Sequence, residues 1–271
     1  MYIRITLRAV VAALLTLGAT LHLGGCTMIS QTALDPIDWA DKAVERYPAT
    51  GRGVIAQLRS EPVGLGPYSA ISEAKSPWSN LPVQTTSNMQ VGLGGENGSQ
   101  FSSGTNSVRN ESEVKVRLIG PPGELASIQC REVLTIENRE ARLTNQRGEN
   151  NMSMTENVSH EASLKCRSRS LGPTWPQWQM DLHATGQTPL QGVLSVDGQA
   201  FEVVGSQASS RGVMRETVSY EVRRGRDVLA LIDRSSDGQL SIVSPKSERQ
   251  RASLFGAAAV LLLAHDPLSQ H

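Results

Sequence analysis

The chain has 271 residues, with 26 Lys plus Arg against 26 Asp plus Glu, and it carries no polybasic or polyacidic block, which argues against nucleic acid as a partner. Apolar residues are 39% and aromatic residues 4%, below ordinary globular usage, so part of the chain is not expected to be packed core. The length allows one sizeable domain, or a small domain with an extension.

Arg4 and Arg8 precede an apolar run over 9–21, and small residues lead into Cys26. The run is too short to cross a bilayer and stay there, so it reads as a cleaved export signal. Leu23, Gly24, Gly25 and Cys26 resemble the lipobox of bacterial lipoproteins. That resemblance implies a signal peptide over 1–25, a diacylglycerol on the Cys26 sulfur, and a fatty acid such as palmitate on the new amino group. Each buried methylene contributes about 0.8 kcal/mol, so one acyl chain holds marginally while two or three hold firmly. Thr27 stands where the inner-membrane retention signal of enteric bacteria is typically Asp. The resemblance therefore favours the outer membrane, with the protein facing the periplasm. The alternative is an ordinary secretory signal with an incidental cysteine.

With Cys26 lipidated, Cys130 and Cys166 remain as a pair in an oxidising compartment, where a disulfide is the expected state. Closing a loop of about 36 residues contributes roughly 3 to 4 kcal/mol in the chain-entropy model, less any strain. Two buried free thiols are the alternative. Neither cysteine has a second ligand at Cys-x-x-Cys spacing, so no metal is expected.

Along the chain, 26–79 reads as the anchor with a small helical segment. Asp35-Pro36 resembles an N-cap followed by proline, Ile37, Ala40, Ala43 and Val44 recur at helical spacing, and Pro48 ends the run. Residues 80–112 are rich in Ser, Asn, Gly, Thr and Gln and read as a polar linker or long loop, about 30 Å in reach as a coil. A poorly regular hairpin around Gly92-Leu93-Gly94-Gly95 is the other reading. From 113 to 271 the pattern is β. Val114, Val116 and Leu118 alternate with charged residues, Pro121-Pro122-Gly123 turns the chain, and 132–137 and 162–167 are further strand candidates. Between them, 148–157 holds little core material. Trp175 and Trp178 precede a strand over 179–183 and read either as core cover or as exposed stacking surfaces.

Asp197-Gly198 between two apolar-rich runs predicts a type I′ hairpin. A second hairpin turns at Gly225, and a last strand runs over 239–243. Four consecutive short strands form a meander that needs a cover. Ser247-Glu248-Arg249-Gln250 fits a capping box, and the helix it opens runs to about His265. Residues 252–264 are apolar almost all round and rise only about 20 Å, so a buried helix is expected rather than a membrane anchor.

The fold class is thus mainly β: an antiparallel β-sheet or barrel packed on a buried C-terminal α-helix, with a small N-terminal helical segment. Tyr220-Glu221-Val222-Arg223-Arg224, Val228-Leu229-Ala230-Leu231-Ile232 and Leu261-Leu262-Leu263 resemble the pattern of the tubby-like barrels. That resemblance implies a closed antiparallel barrel around a central C-terminal helix. It carries over no ligand residues.

Motifs for chemistry fail on context. His160-Glu161 begins a zinc-protease pattern that ends in Leu164 where the second ligand belongs. Gly51-x-Gly53-x-x-Ala56 lacks a surrounding βαβ unit. Ser72-x-x-Lys75 and Ser112-x-x-Lys115 match a serine-nucleophile pattern without its Lys-Thr-Gly partner. The loop at 233–238 is too short for an EF-hand. The expectation is a non-enzymatic envelope lipoprotein that binds or assembles with an envelope protein, with no catalytic residues and no cofactor. A lipid or small-ligand binding β domain and an envelope serine hydrolase are the alternatives.

Overall fold

The computed structural model describes residues 39, 42–51, 62–74, 83–92, 100–121, 123–144, 150–172, 175–209, 212–214, 216–235, 238–243 and 247–264. In chain order these form β1 (Val44–Thr50), β2 (Val63–Leu65), β3 (Tyr68–Ala74), β4 (Val83–Gly92), β5 (Gln100–Gly120), β6 (Gly123–Thr144) and β7 (Asn150–Ser170). There follow β8 (Trp178–Thr185), β9 (Gln191–Val196), β10 (Gln199–Ser206), β11 (Ala208–Ser209), β12 (Gly212–Val213), β13 (Ser219–Arg224), β14 (Asp227–Asp233), β15 (Gln239–Val243) and the helix α1 (Glu248–Leu263).

The strands pair in the order β3-β2-β1-β15-β14-β13-β10-β9-β8-β7-β6-β5, and β5 returns to β3. This closes a 12-stranded antiparallel barrel. β11 and β12 pair with each other outside it. Alternation sets the wall. Trp178, Met180, Leu182 and Ala184 of β8 are buried while Gln179, Asp181, His183 and Thr185 are exposed. The Asp197-Gly198 turn holds both residues at positive φ, 47° and 80°, and sets Val196 opposite Gln199.

The lumen of a barrel this wide is too large for side chains alone, and α1 fills it. Ala257, Ala258, Ala259 and Leu261 are wholly buried, as is Phe255. The run of alanines keeps the helix slim enough for wall side chains to reach it, which is why it is apolar on every side rather than along one stripe. Both ends are tied. The Ser247 hydroxyl accepts from the Gln250 N–H at 3.1 Å. At the other end Arg234 donates to the carbonyls of Leu261 and Ala264 at 2.6 and 3.2 Å. That places a cation at the negative pole of the helix. Two ion pairs brace the first turns, Arg249 with Asp197 at 3.0 Å and Arg251 with Glu45 at 2.9 Å.

The structure corrects the reading of the chain's first half. Residues 44–50, expected as the end of a small N-terminal helix, are strand β1, paired with β15 from Val44↔Val243 to Pro48↔Gln239. Val44 and Ala49 have partners across the sheet that outweigh a weak helical period, and Pro48 is tolerated where a ladder ends. Trp39 lies outside the barrel, its indole donating to the Val228 carbonyl at 3.0 Å and its ring packing on Val228 and Leu231. The stretch 80–112, expected as a linker, contributes β4 and the first half of β5, so the hairpin reading was the right one there. Residues 148–157, expected to hold little core material, keep to that where described: none of the described side chains over 152–157 is buried, although the stretch from Asn150 is strand β7.

Candidate docking surfaces

β5, β6 and β7 are 21, 22 and 21 residues long, and only their lower halves belong to the barrel wall. β3 pairs with β5 from Val114 to Ile119, and β8 pairs with β7 from Glu161 to Arg167. Beyond those limits the three strands run on together, and β4 joins β5 from Val83↔Arg109 to Gly92↔Gln100. The result is a four-stranded blade in the order β4-β5-β6-β7, about 33 Å long at roughly 3.3 Å per residue. Among the described side chains of 101–112, 135–144 and 152–158, none is buried. Among the described residues, no strand pairs with the outer edge of β4, nor with β7 over 150–159.

The two faces of the blade differ at its far end. Val91 of β4 is paired with Phe101, Phe101 with Leu143, and Leu143 with Met152, so one row across all four strands is apolar. Met89, Ser103, Ala141 and Met154 form the next row on that face. The intervening row, on the opposite face, is Gln90, Ser102, Arg142 and Ser153. Phe101 is 36% exposed, Met152 61% and Met154 66%.

A bulge produces this arrangement. The register passes from Glu137↔Ser159 to Asn138↔Asn157, leaving Val158 over. Without that extra residue Leu143 would face Ser153 and Ala141 would face Thr155; the bulge turns both methionines onto the face of Phe101. Because four strands and a register shift make the row, no single stretch of sequence displays it. The signal within reach was the alternation of Met152 and Met154 with polar residues.

A second surface is the outside of the barrel wall below the blade. Arg131 is paired with Glu111 at 2.6 Å, Arg117 with Glu73 at 2.6 Å, Lys115 with Glu73 at 3.5 Å and Lys165 with Asp181 at 2.9 Å. The Arg131 guanidinium holds the Glu111 carboxyl below its usual range. These cross-strand pairs neutralise one another, leaving a polar wall with both signs interspersed.

The sequence-derived candidates fall as follows. Cys130 and Cys166 form a disulfide between directly paired positions of β6 and β7, both buried and facing the core. Cys26 and Lys75 lie outside the described residues. Ser112 and Lys115 share β5, but three residues apart on a strand means opposite faces. The Ser112 hydroxyl meets Glu132 at 3.1 Å, and Lys115 meets Glu73 on the outside. They are not assembled as nucleophile and base. Trp175 and Trp178 are buried at 5% and 2%, so they cover core and offer no stacking surface. His160 turns into the wall and its neighbour Glu161 out of it. The loop after β14 is a turn held by Asp233, whose carboxylate accepts from the Ser235 N–H at 2.8 Å. Among the described residues, no cluster of three His, Cys, Asp or Glu is placed to hold a metal, and no helix is long and apolar enough to cross a membrane.

A scan against protein-family models, a search of curated proteins and a search of solved structures each return no match.

Proposed function

We propose that this chain is a lipid-anchored lipoprotein of the bacterial envelope, held through Cys26 with the outer membrane favoured, and that it acts as a non-enzymatic docking or assembly module. The observation that carries the reading is the blade: a four-stranded sheet with no buried side chain among those described over 101–112, 135–144 and 152–158, and with no strand on either edge among the described residues. Such a sheet is marginal alone, since its unpaired N–H and C=O groups and its apolar row gain most from a partner. The barrel acts as its rigid base. Occupation of the lumen by α1 supports protein docking over a ligand carried inside, and the placement of Ser112 and Lys115 supports a non-enzymatic role over a hydrolase. The closed barrel around a C-terminal helix also supports a tubby-like reading of the fold, without bringing a ligand site with it.

The test is in-cell photo-crosslinking from Glu156 on the blade, from Gln179 on the barrel wall as a control, and from both in a Cys26→Ala background. Specific protein adducts from position 156 alone, lost with the anchor, are the expected result. Equal adducts from both positions, or none from the blade, would remove the docking role.

A further inference from the structure

The blade's two edges, unpaired among the described residues, match one another. β4 offers ten residues, Val83–Gly92, and β7 offers 150–159, also ten, at the same height above the barrel. Height is fixed by the ladder itself, because Gly92, Gln100, Thr144 and Asn150 stand in one cross-strand line at the far end. The number of strands is even and all pairs are antiparallel, so β4 and β7 run in opposite directions. A β7 edge laid beside the β4 edge of an identical, similarly oriented chain therefore continues the antiparallel pattern without inverting either molecule.

Natural edge strands are usually blunted by lysine, proline, inward charge or bulges, and of these β7 carries bulges, at Val158 and Asn151, on either side of the Met152–Met154 stretch. Here β4 contains no charged residue and no proline, and 150–159 contains a single charge, Glu156, and no proline. The side-chain register adds a preference. Setting Met152 opposite Val91 of the next chain also sets Met154 opposite its Met89, so this register brings apolar residue types together at both positions.

From this matching we infer that the blade's partner is a second copy of this chain, joined edge to edge by β7 residues 150–159 of one copy and β4 of the next. The inference rests on the docking role given to the blade above and names its occupant. The contact is heterologous, so it repeats: copies close into a ring if the rotation per step divides a full turn and otherwise extend as a filament. The apolar row of Phe101, Leu143 and Met152 becomes a continuous belt at the far end of the assembly.

The test uses the full-length chain in the envelope of producing cells, with Val91→Cys and Met152→Cys introduced singly and together and exposed to mild oxidation. The double variant is expected to give a ladder of dimers, trimers and higher species, and each single variant none, because position 91 meets position 152 and never itself. Dimers from Met152→Cys alone would mean a symmetric β7 contact and would overturn the proposal. So would a double variant that remains single while Glu156 cross-links to a different protein, an outcome that leaves the docking role standing. No adduct of any kind from the blade would remove both. As a second readout, Met89→Lys with Met154→Lys should reduce the mass of the detergent-extracted wild-type assembly to that of one chain, with the Cys130–Cys166 disulfide intact. An unchanged oligomer in that variant, or a wild-type protein already at single-chain mass, overturns the edge pairing.

Discussion

Gly256 lies against the indole of Trp178 so closely that a Cβ built on it would stand 2.9 Å from both Cζ2 and Nε1 of the ring. The helix touches the barrel wall there with no room for a methyl group. Glycine inside a helix costs about 1 kcal/mol relative to alanine, so on propensity alone Gly256→Ala would stabilise the protein. Overpacking a rigid core contact costs about 1 to 3 kcal/mol, and Trp178 is a large ring fixed in the wall that cannot swing aside. The clash is expected to win, giving a net loss of up to about 2 kcal/mol in urea unfolding. A gain in stability would show that the wall yields at this point.

Arg234 and Ser247 hold opposite ends of α1, and they should not contribute equally. Removing the Ser247 hydroxyl leaves one N–H to find water near the exposed start of the helix, so Ser247→Ala should cost about 1 kcal/mol. Arg234→Ala strips two carbonyls, those of Leu261 and Ala264, of a charged donor at the half-buried end. Hydrogen bonds to charged groups are worth about 1.5 to 3 kcal/mol, so the Arg234 variant should be the less stable of the two. Parallel urea titrations of the two variants read the order directly; the reverse order would contradict this account of how the helix is seated.

The second half of the chain was legible because its signals are local. Asp197-Gly198, Ser247 through Gln250 and the all-round apolar 252–264 each act within a few residues, and each formed the turn, cap or buried helix its chemistry asks for. The first half was not. Val44–Thr50 is a strand because β15 supplies partners about 200 residues away in sequence. The polar strands β4 and early β5 lack the apolar alternation that announces a sheet, and none of the side chains over 101–112 is buried; they are held by continuity with β6, whose lower half is in the barrel. The blade's apolar row was hidden for a related reason. Phe101 and Met152 are 51 positions apart by number, and only two ladders and a bulge put them in line. Only the disulfide crossed this gap, because cysteine parity gives a long-range pairing without any need for the fold.

That disulfide joins Cys130 and Cys166, positions already held opposite one another by the β6–β7 ladder. Its stabilisation acts mainly through the unfolded chain, where the cross-link closes a loop of 36 residues. The chain-entropy relation gives about 3 to 4 kcal/mol for a loop of that order. Replacing both cysteines with alanine should lower the unfolding free energy by about that amount and leave the barrel's strand signature by circular dichroism unchanged. A variant with wild-type stability would mean that the unfolded chain keeps β6 and β7 together without the bond.

At the helix's entrance to the barrel, Tyr47 donates to Glu45 at 2.6 Å, and its ring meets Phe255 at 4.8 Å between centroids. Burial pushes its phenol pKa up to about 12, with the hydrogen bond to the Glu45 carboxylate and the repulsion of that charge acting in the same direction. Arg251, ion-paired to the same carboxylate, opposes the shift. An unfolded chain releases this proton near the ordinary value of 10. The sign follows: the folded state keeps the proton longer, so its advantage is whole below pH 10 and is lost as the pH rises towards 12. Unfolding free energy measured by urea between pH 9 and pH 12 should fall with a slope that flattens in Tyr47→Phe, which has no proton to lose. Phenolate absorbance should show one late-titrating group fewer in the variant than in the wild type, where burial also raises Tyr68. Identical slopes in the two proteins would place the alkaline loss of stability elsewhere in the barrel.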